Sequence, residues 1–253
     1  MSKIITILSG KGGVGKTVTA VNIATALNEL GKNVVVVDSN LTTPNLALHL
    51  GAPIVPITLN HVLQGRKKIS QAVYTHHSGT KVVLASLSLD STKGIRPELF
   101  SKSLQQLKKF NDYIIVDAAA GLGQEALMPL EASDEIIIVT NPELPAITDA
   151  LKTIKVAERM NKRVAGVIIT RARNDKKELS TKNIKSMLEK PILAKVPEDD
   201  AVRESIMLRN ALVLTHPKSS AAKSYKRLAA KIAGEEYKEE KTFAEKYFSW
   251  LFR

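Results

Sequence analysis

The sequence predicts one doubly wound α/β domain on a mostly parallel sheet, followed by a short amphipathic helix. Three observations point there. Short β-branched runs alternate with longer helical stretches along the chain. The runs are apolar at consecutive positions, the pattern of strands covered on both faces. Two of them end in an acid, Asp38 and Asp117, and the carboxyl ends of such strands face a ligand crevice.

The strand-like runs, in order, are 4–9, 33–38, 81–86, 112–117, 134–141, 163–170 and 191–197. Helical patterns lie between them at about 17–30, 97–109, 143–161, 178–188 and 220–233. Parallel neighbours need crossovers, and right-handed ones are strongly favoured. A length of 253 residues suits one large α/β domain or two small ones, and the unbroken alternation favours one. There is no internal repeat. Composition shifts after Gly234, where "GEEYKEEK" is heavily charged. The expected organisation is a domain over 1–234, a charged linker over 235–242, and a helix over 243–253.

Composition excludes several classes. The chain is 44% hydrophobic and 25% charged, as in ordinary globular proteins. Its apolar runs, such as "VVVV" at 34–37 and "IIIV" at 136–139, are far shorter than the roughly 20 residues a membrane span needs. The first residues lack signal-peptide architecture. With no cysteine there is no disulfide framework and no thiolate metal site, which is compatible with a reducing cytoplasm. A net charge of +12 either attracts polyanions, such as nucleic acid, an anionic membrane or nucleotides, or marks a lysine-rich surface.

"GKGGVGKT" at 10–17 fits G-x-x-x-x-G-K-[ST] and lies between an expected strand and an expected helix, the context this phosphate-binding motif requires. Gly10, Gly12, Gly13 and Gly15 are expected to let backbone N–H groups turn around phosphate oxygens where a Cβ would clash. The helix N-terminus adds its positive end. Lys16 is expected on the β- and γ-phosphates and Thr17 on Mg²⁺, with Val14 and Val18 flanking the nucleotide. Asp38 and Asp117 are expected to hold the same Mg²⁺ through waters, although a strand-end aspartate can also cap the next turn. Lys11 is not needed by its own loop. It either faces solvent or completes a site elsewhere.

"KGGVGKT", with lysine second, resembles the deviant Walker A loop of the MinD/ParA family of P-loop ATPases. The segments 34–51, 114–123, 139–143, 168–171 and 196–202 are similar to that family's strands and switches, and the likeness covers about 1–233. The chain looks MinD-like, of the archaeal type. The resemblance implies an ATP/ADP- and Mg²⁺-dependent ATPase whose ATP-bound protomers pack face to face as a homodimer. Lys11 of each would contact the phosphates held by the other, as an arginine finger does. Asn45 and Gly121 match switch positions that meet the nucleotide or the partner protomer. Arg171 and Pro197, Glu198 and Asp199 fall where the family holds adenine.

Two departures follow. The family's first switch reads D-x-D, and its second aspartate orients or deprotonates the attacking water. Here the residues are Asp38, Ser39 and Asn40, and an asparagine accepts no proton at neutral pH. ATP binding should survive while hydrolysis should be slow or absent. Ala119 replaces a usual proline, which is expected to loosen switch II. Elsewhere, His76 and His77 sit in a loop with no third ligand, and "KSSAAKSYKR" at 218–227 reads as the solvated face of the last core helix or a contact for acidic lipid or DNA.

Five of the eleven aromatic residues fall in the final "KTFAEKYFSWLFR". On a helix at about 100° per residue, Phe243, Ala244, Tyr247, Phe248, Trp250, Leu251 and Phe252 share one side, and Lys246 and Arg253 flank the other. Such segregation reads as an interfacial membrane anchor or as a helix docking on protein. MinD proteins carry a membrane-targeting helix in this place, which favours the membrane. One such helix binds weakly, and two in an ATP dimer bind with avidity. The expectation is a cytoplasmic switch, peripheral on the inner face of the cell membrane, that positions a division site or another structure with an unidentified regulatory protein as partner. The alternatives are a ParA-type DNA-partition ATPase and a non-hydrolysing membrane scaffold. Nucleic acid is the less favoured partner, because the tail counts against it.

Overall fold

A computed structural model describes residues 2–237, apart from 53, 174 and 176. In chain order the elements are β1 (Lys3–Ser9), α1 (Lys16–Glu29), β2 (Val34–Asp38), α2 (Leu46–His49), α3 (Leu59–Leu63), β3 (Val73–Thr75), β4 (Lys81–Val83), α4 (Glu98–Leu107), β5 (Tyr113–Ala120), α5 (Gln124–Ala132), β6 (Glu135–Thr140), α6 (Leu144–Arg159), β7 (Val164–Ala172), α7 (Thr181–Leu188), β8 (Ile192–Pro197), α8 (Ala201–Met207), α9 (Leu212–Thr215) and α10 (Ser220–Ala233). They form one eight-stranded sheet in the order β3-β4-β2-β5-β1-β6-β7-β8. All pairings are parallel except β3 with β4. The expected doubly wound α/β class is the one observed.

Every residue of β2 is buried, so the four valines fill both faces. On one face Ile5, Ile7, Val34, Val36 and Ile115 pack under α1 and α10. On the other, Ile4, Val35, Val37, Ile114 and Val116 meet Phe100 and Leu104 of α4, while Ile136, Ile138 and Ile169 meet Ile147, Ile154 and Ile184 of α6 and α7. Each such side chain contributes on the order of 1.5–3 kcal/mol of transfer free energy. Tyr225 of α10 is buried against α1, its hydroxyl 3.1 Å from Thr19 Oγ1, and burial pushes its phenol up to about 12.

The seven expected strands and five expected helices are present, shifted by a few residues at their ends. β3, the antiparallel edge strand, was not expected, because three residues carry no periodicity. Neither was α5, which contains Pro129. Proline normally breaks a helix by removing a donor; here the helix runs on to Ala132, and the Pro129 carbonyl accepts Ser133 Oγ at 2.6 Å and Thr6 Oγ1 at 3.2 Å, which ties this end of α5 to β1. α10 ends on Gly234 in the left-handed conformation. The first linker residues lie on the fold: Glu235 pairs with Lys32 at 2.6 Å, and Arg227 lies over the Tyr237 ring. The expected helix over 243–253, with Phe243, Lys246, Tyr247, Phe248, Trp250, Leu251, Phe252 and Arg253, lies outside the described residues.

Candidate functional site

β1 leads through residues 10–15 into α1. Gly13 and Gly15 have φ of 76° and 86°, which residues with a Cβ adopt only at a cost. Gly10 is fixed by space instead, since a Cβ there would lie 2.4 Å from the Asp149 carbonyl oxygen on α6. At Gly12 a Cβ would meet no protein atom within 4 Å, so any need for glycine there comes from the bound phosphate, as expected, and not from the protein. Val14 is buried, and its carbonyl accepts a hydrogen bond from Thr170 Oγ1 at 2.6 Å, which ties the loop to β7. No side chain caps the N-terminus of α1. That end opens on a cavity of about 510 Å³ lined by Gly12, Gly13, Gly15, Lys16, Thr17 and Val18 among others. Free amides at the end of a long helix suit an anion.

Asp117 lies beneath the loop. Thr17 Oγ1 donates to its Oδ2 at 2.6 Å, and Lys16 Nζ donates to its Oδ1 at 3.0 Å. Asp38 is its in-register neighbour across the β2–β5 ladder. Asp38 is fully buried and accepts the backbone N–H groups of Asn40 and Leu46, both at 3.1 Å. It therefore caps the following turn as well as facing Asp117. Burial, and next the charge of Asp117, push the Asp38 carboxyl above the ordinary carboxylate range. Two buried acids with one lysine, Lys16 on Asp117, favour a further cation. Two carboxylates and a hydroxyl are the hard oxygen donors that Mg²⁺ takes, so the residues fit that ion.

The first switch, 39–45, is held by side chains. Asn40 Nδ2 donates to the Thr43 carbonyl at 2.7 Å, and Asn40 Oδ1 accepts from Thr43 N and Thr43 Oγ1, both at 3.1 Å. Asn45 Nδ2 donates to the same Thr43 carbonyl at 3.0 Å. Thr42 Oγ1 donates to Glu125 Oε1 on α5, joining the two switches. In the second switch β5 runs on through Ala120, and Ala119 lies where its register against β1 shifts, between the Ile7–Asp117 and Ser9–Ala120 rungs. The turn falls at Gly121, with φ of 86° and its N–H on the Ser9 carbonyl at 2.9 Å.

Lys11 does not line the cavity. Its Nζ lies 3.8 Å from Glu143 Oε2, with half of the side chain exposed. Arg171 has φ of 53° and lines both the main cavity and a second one of about 260 Å³, shared with Asn141, Glu143, Arg173 and Glu198. Glu198 is paired with Arg173, which holds its carboxyl below the ordinary range. Pro197 closes β8. The Asp199 carboxylate is committed elsewhere, which leaves the backbone of this residue for the expected adenine contact. Its Oδ1 accepts from Ala201 N at 3.1 Å and its Oδ2 from Ala221 N at 3.2 Å, serving the starts of α8 and α10.

Sequence reading missed Thr42, Glu125, His49 and Ile206, which also line the main cavity. No motif marks them, because they are assembled from the first switch, α2, α5 and α8. His76 is buried, with Nε2 on the Leu50 carbonyl at 3.0 Å and Nδ1 on Ser78 Oγ at 2.7 Å. Among the described residues no cluster of histidine and acidic side chains forms another metal site, and no helix is long and apolar enough to cross a membrane.

A glycine-rich loop entering a helix, with two acids in register on neighbouring strands below it, defines a P-loop nucleotide-binding protein. The family described as "ParA: NUBPL iron-transfer P-loop NTPase" matches residues 1–233. An uncharacterised ATP-binding protein of Methanocaldococcus jannaschii is 37% identical, covering 100% of this chain and 97% of its own length. The septum site-determining protein MinD of Pyrococcus horikoshii, solved with Mg-ADP, superposes with a TM-score of 0.87 at 32% identity, over 92% of this chain and 96% of that one. The MinC:MinD cell division complex of Aquifex aeolicus gives 0.84 at 30% identity, over 95% and 99%. The chain belongs to the ParA/MinD family of P-loop NTPases. A nucleotide and Mg²⁺ are the cofactors of that family.

Proposed function

We propose that the chain is a MinD-like ATPase switch whose ATP state dimerises and attaches to the membrane, and so sets where a cellular structure or division site forms. The observation that carries the reading is the cluster on Asp117. Lys16 and Thr17 are already held on that carboxylate beneath an uncapped helix start, beside Asp38. Lys16, Thr17 and the α1 amides would bind the phosphates. Asp38, Asp117 and Thr17 would hold Mg²⁺, which when bound neutralises the charge of the transferring phosphoryl group.

Lys11 is free of its own cavity and half exposed, and its pair with Glu143 is a surface contact of little strength. It is available to reach the phosphates of a second protomer in a homodimer. The tail residues Phe243, Tyr247, Phe248, Trp250, Leu251 and Phe252 would enter an anionic membrane, with Lys246 and Arg253 at the headgroups. MinD of Aquifex aeolicus forms a complex with MinC, which supports a regulatory protein as a further partner.

Co-sedimentation with anionic vesicles tests the reading, using the full chain and a chain ending at Gly234, each with ATP–Mg²⁺ or ADP–Mg²⁺. The expected result is ATP-dependent binding of the full chain alone. Binding indifferent to nucleotide and tail refutes the membrane switch. Nucleotide-dependent retention on DNA, falling steeply with salt, would instead favour the DNA-partition reading that the +12 charge allows.

A further inference from the structure

The proposed ATPase needs a group to receive the proton of the attacking water, and residue 40 is not that group. An asparagine side chain has one carbonyl oxygen with two acceptor positions. In Asn40 both are taken, by Thr43 N and Thr43 Oγ1, and the amide donates to the Thr43 carbonyl. The side chain is 8% exposed. Its work is to hold the turn of the first switch, and it has no lone pair left for a water.

Among the described residues, the walls of the nucleotide cavity contain one carboxylate, Glu125. It stands in the first turn of α5, directly after the second switch. One of its oxygens, Oε1, accepts the Thr42 hydroxyl from the first switch. That bond orients the carboxylate while the other oxygen keeps its lone pairs. Asp38 and Asp117 do not line the cavity, and the proposed site gives both of them to Mg²⁺. His49 also lines the cavity. Its Nδ1 lies 2.9 Å from the Asn45 carbonyl and must donate there, which leaves Nε2 as an acceptor and makes His49 the rival.

We propose that Glu125 is the proton acceptor of the hydrolysis step, positioned by Thr42, in place of the carboxylate that residue 40 lacks. The inference rests on the reading of the chain as an ATPase. The water oxygen forms a bond to the γ-phosphorus. The bond from that phosphorus to the bridging oxygen breaks, and its electron pair stays on ADP. The proton lost by the water goes to Glu125 and leaves with the phosphate. Because Glu125 bonds Thr42, the acceptor is in place only when the two switches are together.

The test compares the full chain with Glu125→Gln, Thr42→Val and His49→Gln. ATP–Mg²⁺ affinity is measured by calorimetry, and phosphate release as a function of pH. Glu125→Gln is expected to bind ATP–Mg²⁺ within about threefold of the parent while losing about 100-fold or more in phosphate release, the usual contribution of a positioned base. The acid limb of the pH profile should vanish with it. Thr42→Val should lose about tenfold and keep that limb, because it moves the base without removing it. Three results overturn the proposal: a parent that binds ATP–Mg²⁺ without releasing phosphate, a Glu125→Gln chain that releases it within about threefold of the parent, or a loss confined to His49→Gln. A parent that does not bind ATP–Mg²⁺ refutes the ATPase reading itself, and calorimetry separates that failure from the others.

Discussion

Replacing Asn40 with aspartate restores the charge that related switches carry, and in this fold it should destabilise the protein. Asn40 Nδ2 reaches the Thr43 carbonyl at 2.7 Å, whereas Oδ1 takes two donors from the same residue. An aspartate keeps the second role and reverses the first, setting a carboxylate oxygen against a carbonyl oxygen. The site is 8% exposed, so water does not readily relieve the clash. Leaving a buried acceptor without its donor costs about 1–3 kcal/mol. A third carboxylate beside Asp38 and Asp117 adds to that figure without a partner to offset it. In a domain of this size about 1 kcal/mol moves the melting temperature by roughly 2–4 °C. Asn40→Asp is therefore expected to melt about 2–12 °C below the parent in the absence of nucleotide, followed by far-UV circular dichroism at pH 7. Asn40→Ala, which loses all three bonds but adds no charge, is expected between the two. A melting temperature for Asn40→Asp equal to or above the parent's would refute the assignment of a two-sided structural role to the amide.

Two further outcomes follow from groups outside the cavity. Asp199→Ala removes one carboxylate that serves the starts of both α8 and α10, and helix caps are worth about 0.5–2 kcal/mol each; a urea midpoint unchanged from the parent would contradict the double cap. His76 is held neutral by burial, and next by its neighbour His77, so its pKa is lowered from 6.5. The unfolded chain then binds the proton more readily, and the contribution of His76 is intact above about pH 6.5 and lost as pH falls below it. Urea unfolding at pH 7.5 and 5.5 should show that loss in the parent and a smaller one in His76→Gln; identical losses would locate the pH dependence elsewhere.

The parts of the molecule legible in sequence were those with a local signature. Runs such as Val34–Val37 announce buried strands because no side of them is polar, and the loop at 10–17 announces itself by spacing. What could not be read was assembled at a distance. Thr42 and Glu125 meet across two switches, and nothing near either residue marks the pairing. α5 was hidden by Pro129, which reads locally as a helix breaker although the helix runs through it to Ala132. Asn40 was visible as a departure, but its meaning was not. As a residue in a pattern it suggested a lost base, whereas its bonds to Thr43 show a turn being held. The side-chain bonds of Asp199 to two helix starts carried no local mark either, because Ala221 lies far along the chain.

The pairing of Asp38 with Asp117 across the β2–β5 ladder has a consequence for how the site tolerates change. Successive strand residues point to opposite faces, so a ladder carries parity as well as order. The two acids can meet only while both strands keep the same count of residues from their shared starting rungs, Val34 and Tyr113. An insertion or deletion of one residue within Val34–Val37 would leave every valine buried somewhere and the composition of β2 almost unchanged, yet it would send Asp38 to the wrong side of the sheet. Substitutions in that strand trade packing for packing. Changes of length trade away the pair of charges, so β2 should drift freely among apolar residues while holding its length fixed.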